Sequence, residues 1–218
     1  MDADVIVIGS GSGGLTAAVA VARAGLKVIV LEQHEVPGGW CHSFTRGGYH
    51  FSPGVHYVGG LSAGDATAQV YEGLGVADDL QFFEIDGNSL EQCTVAGERF
   101  DSCRASQPLL ERFQQRFPKD AKGLADYFYY AVNTFNQIPL ISAMDGFWDA
   151  ITIPYRTRYL GRYGLMSLKS MINSRVKDPM ARAMLAVQGG DHGLPPGLAP
   201  FALHCGVMGH YFNGGYYP

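Results

Sequence analysis

Asp4-Val5-Ile6-Val7-Ile8-Gly9-Ser10-Gly11-Ser12-Gly13-Gly14-Leu15 and, downstream, Leu26-Lys27-Val28-Ile29-Val30-Leu31-Glu32 decide the fold. Val5 to Ile8 is a continuous, β-branched apolar run, the pattern of a strand buried on both faces. Gly9, Gly11 and Gly14 follow it at G-x-G-x-x-G spacing, with Gly13 inside the motif. Leu15 to Ala24 is rich in alanine and favours a helix that packs close to a sheet, and Gly25 stops it. Val28 to Leu31 reads as a second buried strand, and Glu32 stands at its end.

Each position has a physical task. Gly9 permits the tight turn out of the strand, Gly11 lets a pyrophosphate approach the backbone, and Gly14 allows close packing of helix on strand. The helix N-terminus adds free N–H groups and the positive end of a dipole. Glu32 can accept hydrogen bonds from an adenosine ribose, and its charge disfavours a ribose phosphate, hence NADP. A glycine motif alone is weak; here strand, helix and acidic residue all stand in the required context.

Outward from this stretch, Gln33-His34-Glu35-Val36-Pro37-Gly38-Gly39 forms a polar turn ending in paired glycines, which serve either as a flexible loop or as a second close approach of backbone to cofactor. Gly47-Gly48 suits a hairpin between two short aromatic strands. Ala66 to Leu74 is expected to be a helix stopped by Gly75, and Leu80 to Ile85 a strand. Glu91–Val95 and Glu98–Cys103 are expected to pair around Ala96-Gly97. Helices are expected from a Ser106 cap to Phe117, from Asp120 to Gln137, from Leu165 to Arg175, from Pro179 to Gln188 behind an Asp178 cap, and from Leu198 to Phe212. The stretch Ile138 to Tyr155 is apolar and interrupted by Pro139, Gly146 and Pro154. In Asp120–Gln137 the aromatic stripe Tyr127 to Tyr130 reads as core.

Composition sets limits. The 218 residues suffice for one sizeable domain or two small ones. A net charge of −4 without a basic run gives no electrostatic footprint for nucleic acid. No 18-residue apolar run predicts a spanning helix, and the start of the chain reads as carrying no signal or transit peptide. The four cysteines are scattered, with neither disulfide nor zinc spacing, which mildly favours a reducing compartment.

The run Leu31-Glu32-Gln33-His34, then Pro37-Gly38-Gly39, then Phe51, Gly54, His56 and Tyr57 resembles the FAD-dependent carotenoid isomerase and retinol saturase group of the phytoene desaturase-like flavoproteins. Gly193-Leu194-Pro195-Pro196, Ala199-Pro200-Phe201, His204 and Asn213-Gly214-Gly215-Tyr216-Tyr217-Pro218 extend the resemblance. The middle, from about Asp65 to Val176, matches less well. Two positions depart from the pattern: Trp40 stands where a basic residue often follows the paired glycines, and Ser52 where an acidic one often stands.

The resemblance implies FAD, held by Gly9, Gly11, Gly13, Gly14, Glu32, Gln33, Gly38 and Gly39, with His56 near the flavin. It also implies an apolar polyene or isoprenoid substrate, an oxidoreductase or redox isomerase activity, and an intracellular site peripheral to a membrane such as that of a plastid. No residue is assigned a catalytic role, since a flavin performs the difficult step itself. The expected fold is α/β: a Rossmann-like βαβ start over residues 1–60 and a mostly helical α+β substrate cap over 80–218. Only two parallel strands are legible, so the rest of the sheet is expected from further sequence or from a partner chain. A non-catalytic subunit built on the same scaffold is the alternative, and an NAD-dependent dehydrogenase is disfavoured.

Other candidates are weaker. Cys41, His42, His50 and His56 fit no metal spacing. Asp191-His192 reads as a catalytic dyad or, more readily, as a capped turn. His204 and His210, six apart, do not share a helix face.

Overall fold

The computed structural model describes residues 2–52 and 54–217; Met1, Pro53 and Pro218 lie outside them. The chain forms two compact units, residues 1–84 with 216–218, and residues 85–215. The sequence reading instead closes its first segment at about residue 60 and assigns the chain end to the second.

In the first unit, β1 (Val5–Ile8), α1 (Ser12–Arg23) and β2 (Val28–Leu31) form a βαβ start. β1 and β2 pair in parallel from Val5–Val28 to Ile8–Leu31. Asp4 locks the entry by accepting the Lys27 N–H at 2.8 Å. Gly25, at φ +87°, ends α1 as expected. A 3-10 turn at Gly39–Cys41 leads into β3 (Phe44–Arg46) and β4 (Tyr49–Phe51). Arg46 pairs with Tyr49 across Gly47-Gly48, both at positive φ, as the turn requires. β5 (Val58–Gly59), α2 (Ala66–Leu74) and β6 (Phe83–Glu84) follow, with α2 closed by left-handed Gly75.

The second unit opens with the hairpin of β7 (Gln92–Val95) and β8 (Glu98–Asp101), turning at Ala96-Gly97. Then come α3 (Ser106–Arg116), α4 (Ala121–Ser142), α5 (Phe147–Arg156), α6 (Arg158–Tyr163), α7 (Leu168–Asn173), α8 (Pro179–Leu185), α9 (Gly189–His192) and α10 (Phe201–His210). β9 (Gly215–Tyr217) closes the described chain and takes the place between β5 and β6. α4 is the axis of this unit. Leu124, Tyr127, Phe128, Ala131, Thr134 and Gln137 form its buried face, against α3, α6 and α10. Of the expected stripe, Tyr127 and Phe128 are core and Tyr129 is exposed. Close approach is built in: a Cβ on Gly123 would collide with the Arg175 carbonyl, and one on Gly209 with the Phe135 ring.

Several expectations are corrected. β1 and β2 are not buried on both faces: Ile6 and Ile8 are 60% and 86% exposed, because among the described residues this sheet has two strands and little to cover it. The strand expected over Leu80–Ile85 shrinks to Phe83–Glu84, which pair with Tyr217 and Tyr216 of β9. Ser106 does not cap α3. Ala105 takes the cap position at φ +67°, with its N–H tied to the Phe212 carbonyl.

α4 runs on through Pro139 to Ser142. Its end is held by Gln137, whose Oε1 accepts the N–H groups of Tyr159 and Leu160. Pro154 lies inside α5 rather than breaking it. The helix expected from Leu165 begins only after Ser167, whose Oγ accepts the Ser170 N–H. Asp178 caps α8 as read, accepting from Met180 and Ala181, but α8 stops at Leu185 and the double glycine starts α9. The last helix starts at Phe201, because the Leu198 and Ala199 N–H groups close a turn on the Pro195 carbonyl. α6, β5 and β9 are absent from the sequence reading.

Candidate cofactor site

The glycine loop between β1 and α1 is assembled around Ser10, which sequence reasoning did not single out. Gly9 turns out of β1 at φ +93° and its N–H bonds the Leu31 carbonyl at 2.7 Å. Ser10 is 2% exposed. Its N–H and its Oγ both donate to Oε2 of Glu32, at 2.7 and 2.5 Å. The other oxygen, Oε1, accepts the His34 N–H at 2.9 Å. Two hydrogen bonds to the loop and one from His34 therefore seat Glu32. The Ser10 hydroxyl first, then the His34 and Ser10 backbone N–H groups, hold its carboxyl down at about 2. It is ionised throughout the physiological range.

The glycines divide into two kinds. Gly14 is structural: a Cβ there would stand 2.1 Å from the Gly9 carbonyl oxygen. Gly11 and Gly13 face open space, with nothing within 4 Å of a built Cβ. At Gly11 a side chain is excluded by nothing in the chain itself, so a glycine there keeps room for something else. Gly11 caps α1 without a side-chain hydrogen bond, and no acidic residue occupies the first turn. The helix end thus presents its dipole and N–H groups to that space.

The paired glycines come back to this loop. Gly38 bridges to Gly11, and its N–H donates to the Ser10 carbonyl at 3.0 Å and to Ser10 Oγ at 3.2 Å. A Cβ on Gly39 would stand 2.9 Å from the Gly11 Cα. Their close approach is to the first glycine loop, and both carry positive φ. Gly54 repeats the device: a Cβ there would strike the Trp40 carbonyl. Trp40 itself is 89% exposed. Gln33 is exposed beside Glu32.

His56 is found with the β3–β4 hairpin. It lines a concavity of about 570 Å³ with Ser43, Phe44, His50, Ser52 and Tyr217. The structure therefore brings Gly9, Gly11, Gly14, Glu32, Gly38 and Gly39 together with Ser10, and puts His56 with the β3–β4 hairpin. Ser10 carried no signal in the motif beyond its place between two glycines.

Residues 7–74 match the family described as an NAD(P)-binding Rossmann-like domain. Over 100% of its length the chain is 27% identical to the all-trans-retinol 13,14-reductase of Danio rerio, of which it covers 37%. The proteins it resembles include retinol 13,14-reductases and prolycopene isomerases. To the chloroplastic prolycopene isomerase of Daucus carota it is 48% identical over 59 residues, 27% of this chain and 10% of that protein. A protein described as an inactive all-trans-retinol 13,14-reductase, also of Danio rerio, is 36% identical over 57% of this chain and 21% of its own length.

Among solved structures, cyclohexylamine oxidase from Brevibacterium oxydans superposes with a TM-score of 0.60 at 17% identity, over 100% of this chain and 46% of that one. That likeness shows the fold. The chain thus spans little more than a third of the length of the retinol reductases it matches, and it carries a Rossmann-like site for a flavin or nucleotide cofactor.

Proposed function

We propose that the chain is the cofactor-holding N-terminal part of an FAD-dependent oxidoreductase or redox isomerase acting on a conjugated polyene of the carotenoid or retinoid type. The observation that carries this is the open face at Gly11, bounded by the α1 N-terminus and the ionised, loop-anchored carboxylate of Glu32. Similarity to retinol reductase along the whole chain supports the substrate class. Gly9, Gly11, Gly13 and Gly14 would face the pyrophosphate. Glu32, beside Gln33, would accept from the ribose hydroxyls with the lone pairs that Ser10 and His34 leave free. Gly38 and Gly39 brace the loop from behind, and His56 is assigned to the flavin side.

Bound FAD supplies the two-electron chemistry, while the chain orients it and limits water. In the second unit, an apolar concavity of about 570 Å³ lined by Ile138, Ile141, Leu160, Ala202, Leu203 and Val207 supports the reading of residues 85–215 as a substrate cap. The absorption spectrum of the purified protein tests the reading: flavin bands released as FAD on denaturation support it, and a nicotinamide or no chromophore overturns it.

A second reading, a non-catalytic subunit on the same scaffold, is favoured by the 36% identity to a relative described as inactive and by exposed Trp40 beside the glycine loop. Flavin bound without turnover of any polyene, in a protein of the relatives' full length, would favour it.

A further inference from the structure

α5 carries an unusual surface. Phe147, Trp148, Ile151 and Tyr155 are 72%, 76%, 54% and 75% exposed. At helical spacing they fall within an arc of roughly 100°. Asp149 and Ile153, the half-buried residues of the helix, lie on the opposite side. Large apolar side chains here point away from the protein, whereas an ordinary surface helix points them in. Leu165, beyond α6, is 91% exposed.

Charge accompanies this face. The chain as a whole is acidic, at −4, yet residues 151–177 contain Arg156, Arg158, Arg162, Lys169, Arg175 and Lys177 and not one Asp or Glu. All of these except the half-buried Arg175 are exposed. Arg156 is engaged with Asp149 at 2.7 Å. Arg158 lies over the rings of Tyr155 and Tyr159 at 5.4 and 4.9 Å, placing a positive charge at the rim of the aromatic face. An exposed Trp-Phe-Ile-Tyr face bordered by cations is the pattern of a helix lying in a membrane interface. Trp and Tyr suit the headgroup level, and the arginines suit anionic lipid. No described helix is long and apolar enough to cross a membrane.

We propose that α5 and the basic segment after it seat the second unit on an anionic bilayer surface, with Phe147, Trp148, Ile151 and Tyr155 entering the acyl boundary and Arg158 and Arg162 meeting phosphate headgroups. The assignment does not depend on the identity of the cofactor.

The test uses the chain carrying Trp40→Phe, so that fluorescence reports Trp148 alone. Vesicles of phosphatidylcholine, with or without phosphatidylserine, are titrated in. A blue shift of Trp148 and flotation with the anionic vesicles, weakened by added salt, is the expected result. Phe147→Ser with Ile151→Ser should weaken binding at least tenfold, and Arg158→Gln with Arg162→Gln should abolish the preference for phosphatidylserine. These positions are exposed, and unchanged circular dichroism confirms that the variants fold. Equal binding to both vesicle types, or no shift of Trp148 with either, overturns the proposal. A concentration-dependent dimer in sedimentation, broken by Phe147→Ser, would assign the face to a second copy instead.

Discussion

The two units solve the burial problem differently. In residues 85–215, nineteen buried apolar residues form one cluster, with Leu124, Tyr127, Leu168, Met171 and Phe201 near the centre and fully inaccessible. In the first unit the described buried residues include Ala18 and Ser10, while Ile6, Ile8, Val30 and Leu31 of the parallel strands remain exposed. One unit is ordered by packing, the other by hydrogen bonds and glycine contacts around a loop. A fold held in the second way tolerates open apolar strands only with support from elsewhere, whether ligand, further chain or partner.

The sharpest break in this comparison lies within the glycine motif. A Cβ at Gly11 has no protein atom within 4 Å, so Gly11→Val should change thermal stability little and weaken cofactor binding at least about a thousandfold. Retention of wild-type affinity in a flavin titration would show that the cofactor lies elsewhere. Gly14→Ala is the reverse case. Its methyl group meets the Gly9 carbonyl, so it should destabilise the first unit by about 1–3 kcal/mol, measured by urea denaturation without ligand.

In the second unit, Leu124→Ala should cost about 2–5 kcal/mol, as cavities in packed cores do. A loss below 1 kcal/mol would mean that α4 is not the axis of that core.

Acid should separate the units next. His204 is buried with neither ring nitrogen in a well-formed hydrogen bond. Burial first, then the neighbouring His192, lowers its pKa from 6.5 to about 4; the Leu185 backbone opposes this weakly. The unfolded chain then binds the proton more readily than the folded one. Stability is complete above about pH 6.5 and falls by about 3 kcal/mol as the pH drops to 4. His204→Leu should flatten that slope. Glu32 acts lower: with its pKa held at about 2 against an ordinary 4.5, its contribution is present above pH 4.5 and is lost on descent toward 2.

The smallest effect expected on binding is that of Glu32→Ala, a weakening of about tenfold with the domain still folded. An unchanged dissociation constant would show that the carboxylate serves Ser10 alone.

What was legible in the sequence follows from range. The βαβ start, both positive-φ hairpin turns, the Gly75 stop and the Asp178 cap are local: each is set by a few adjacent residues whose backbone geometry has one economical solution. The resemblance carried the expectation of FAD and of a polyene substrate. Ser10 was hidden because its partners, Glu32 and Gly38, are 22 and 28 residues away. The continuation of α4 past Pro139 rests on Gln137 reaching Tyr159 and Leu160, which no pattern in α4 announces. β9 has no strand signature of its own, and its partners in β6, Glu84 and Phe83 opposite Tyr216 and Tyr217, lie far upstream in the sequence. The basic character of residues 151–177 escaped notice because its six cations are spaced rather than clustered.

β9 also says something about how the chain can be rebuilt. Glu84 and Tyr216 stand opposite one another across the antiparallel ladder, as do Phe83 and Tyr217. The chain leaves the first unit at one member of a directly opposed pair and returns at the other, with the next pair closed by the Ile85 N–H on the Gly215 carbonyl at 2.9 Å, so the whole second unit occupies the place of a hairpin turn. Strands at that separation are closed elsewhere by two residues. A module plugged in at such a junction can be exchanged, enlarged or excised by recombination without disturbing the register that receives it. Joining Ile85 to Gly215 through Asn-Gly would close the same ladder as a bare hairpin.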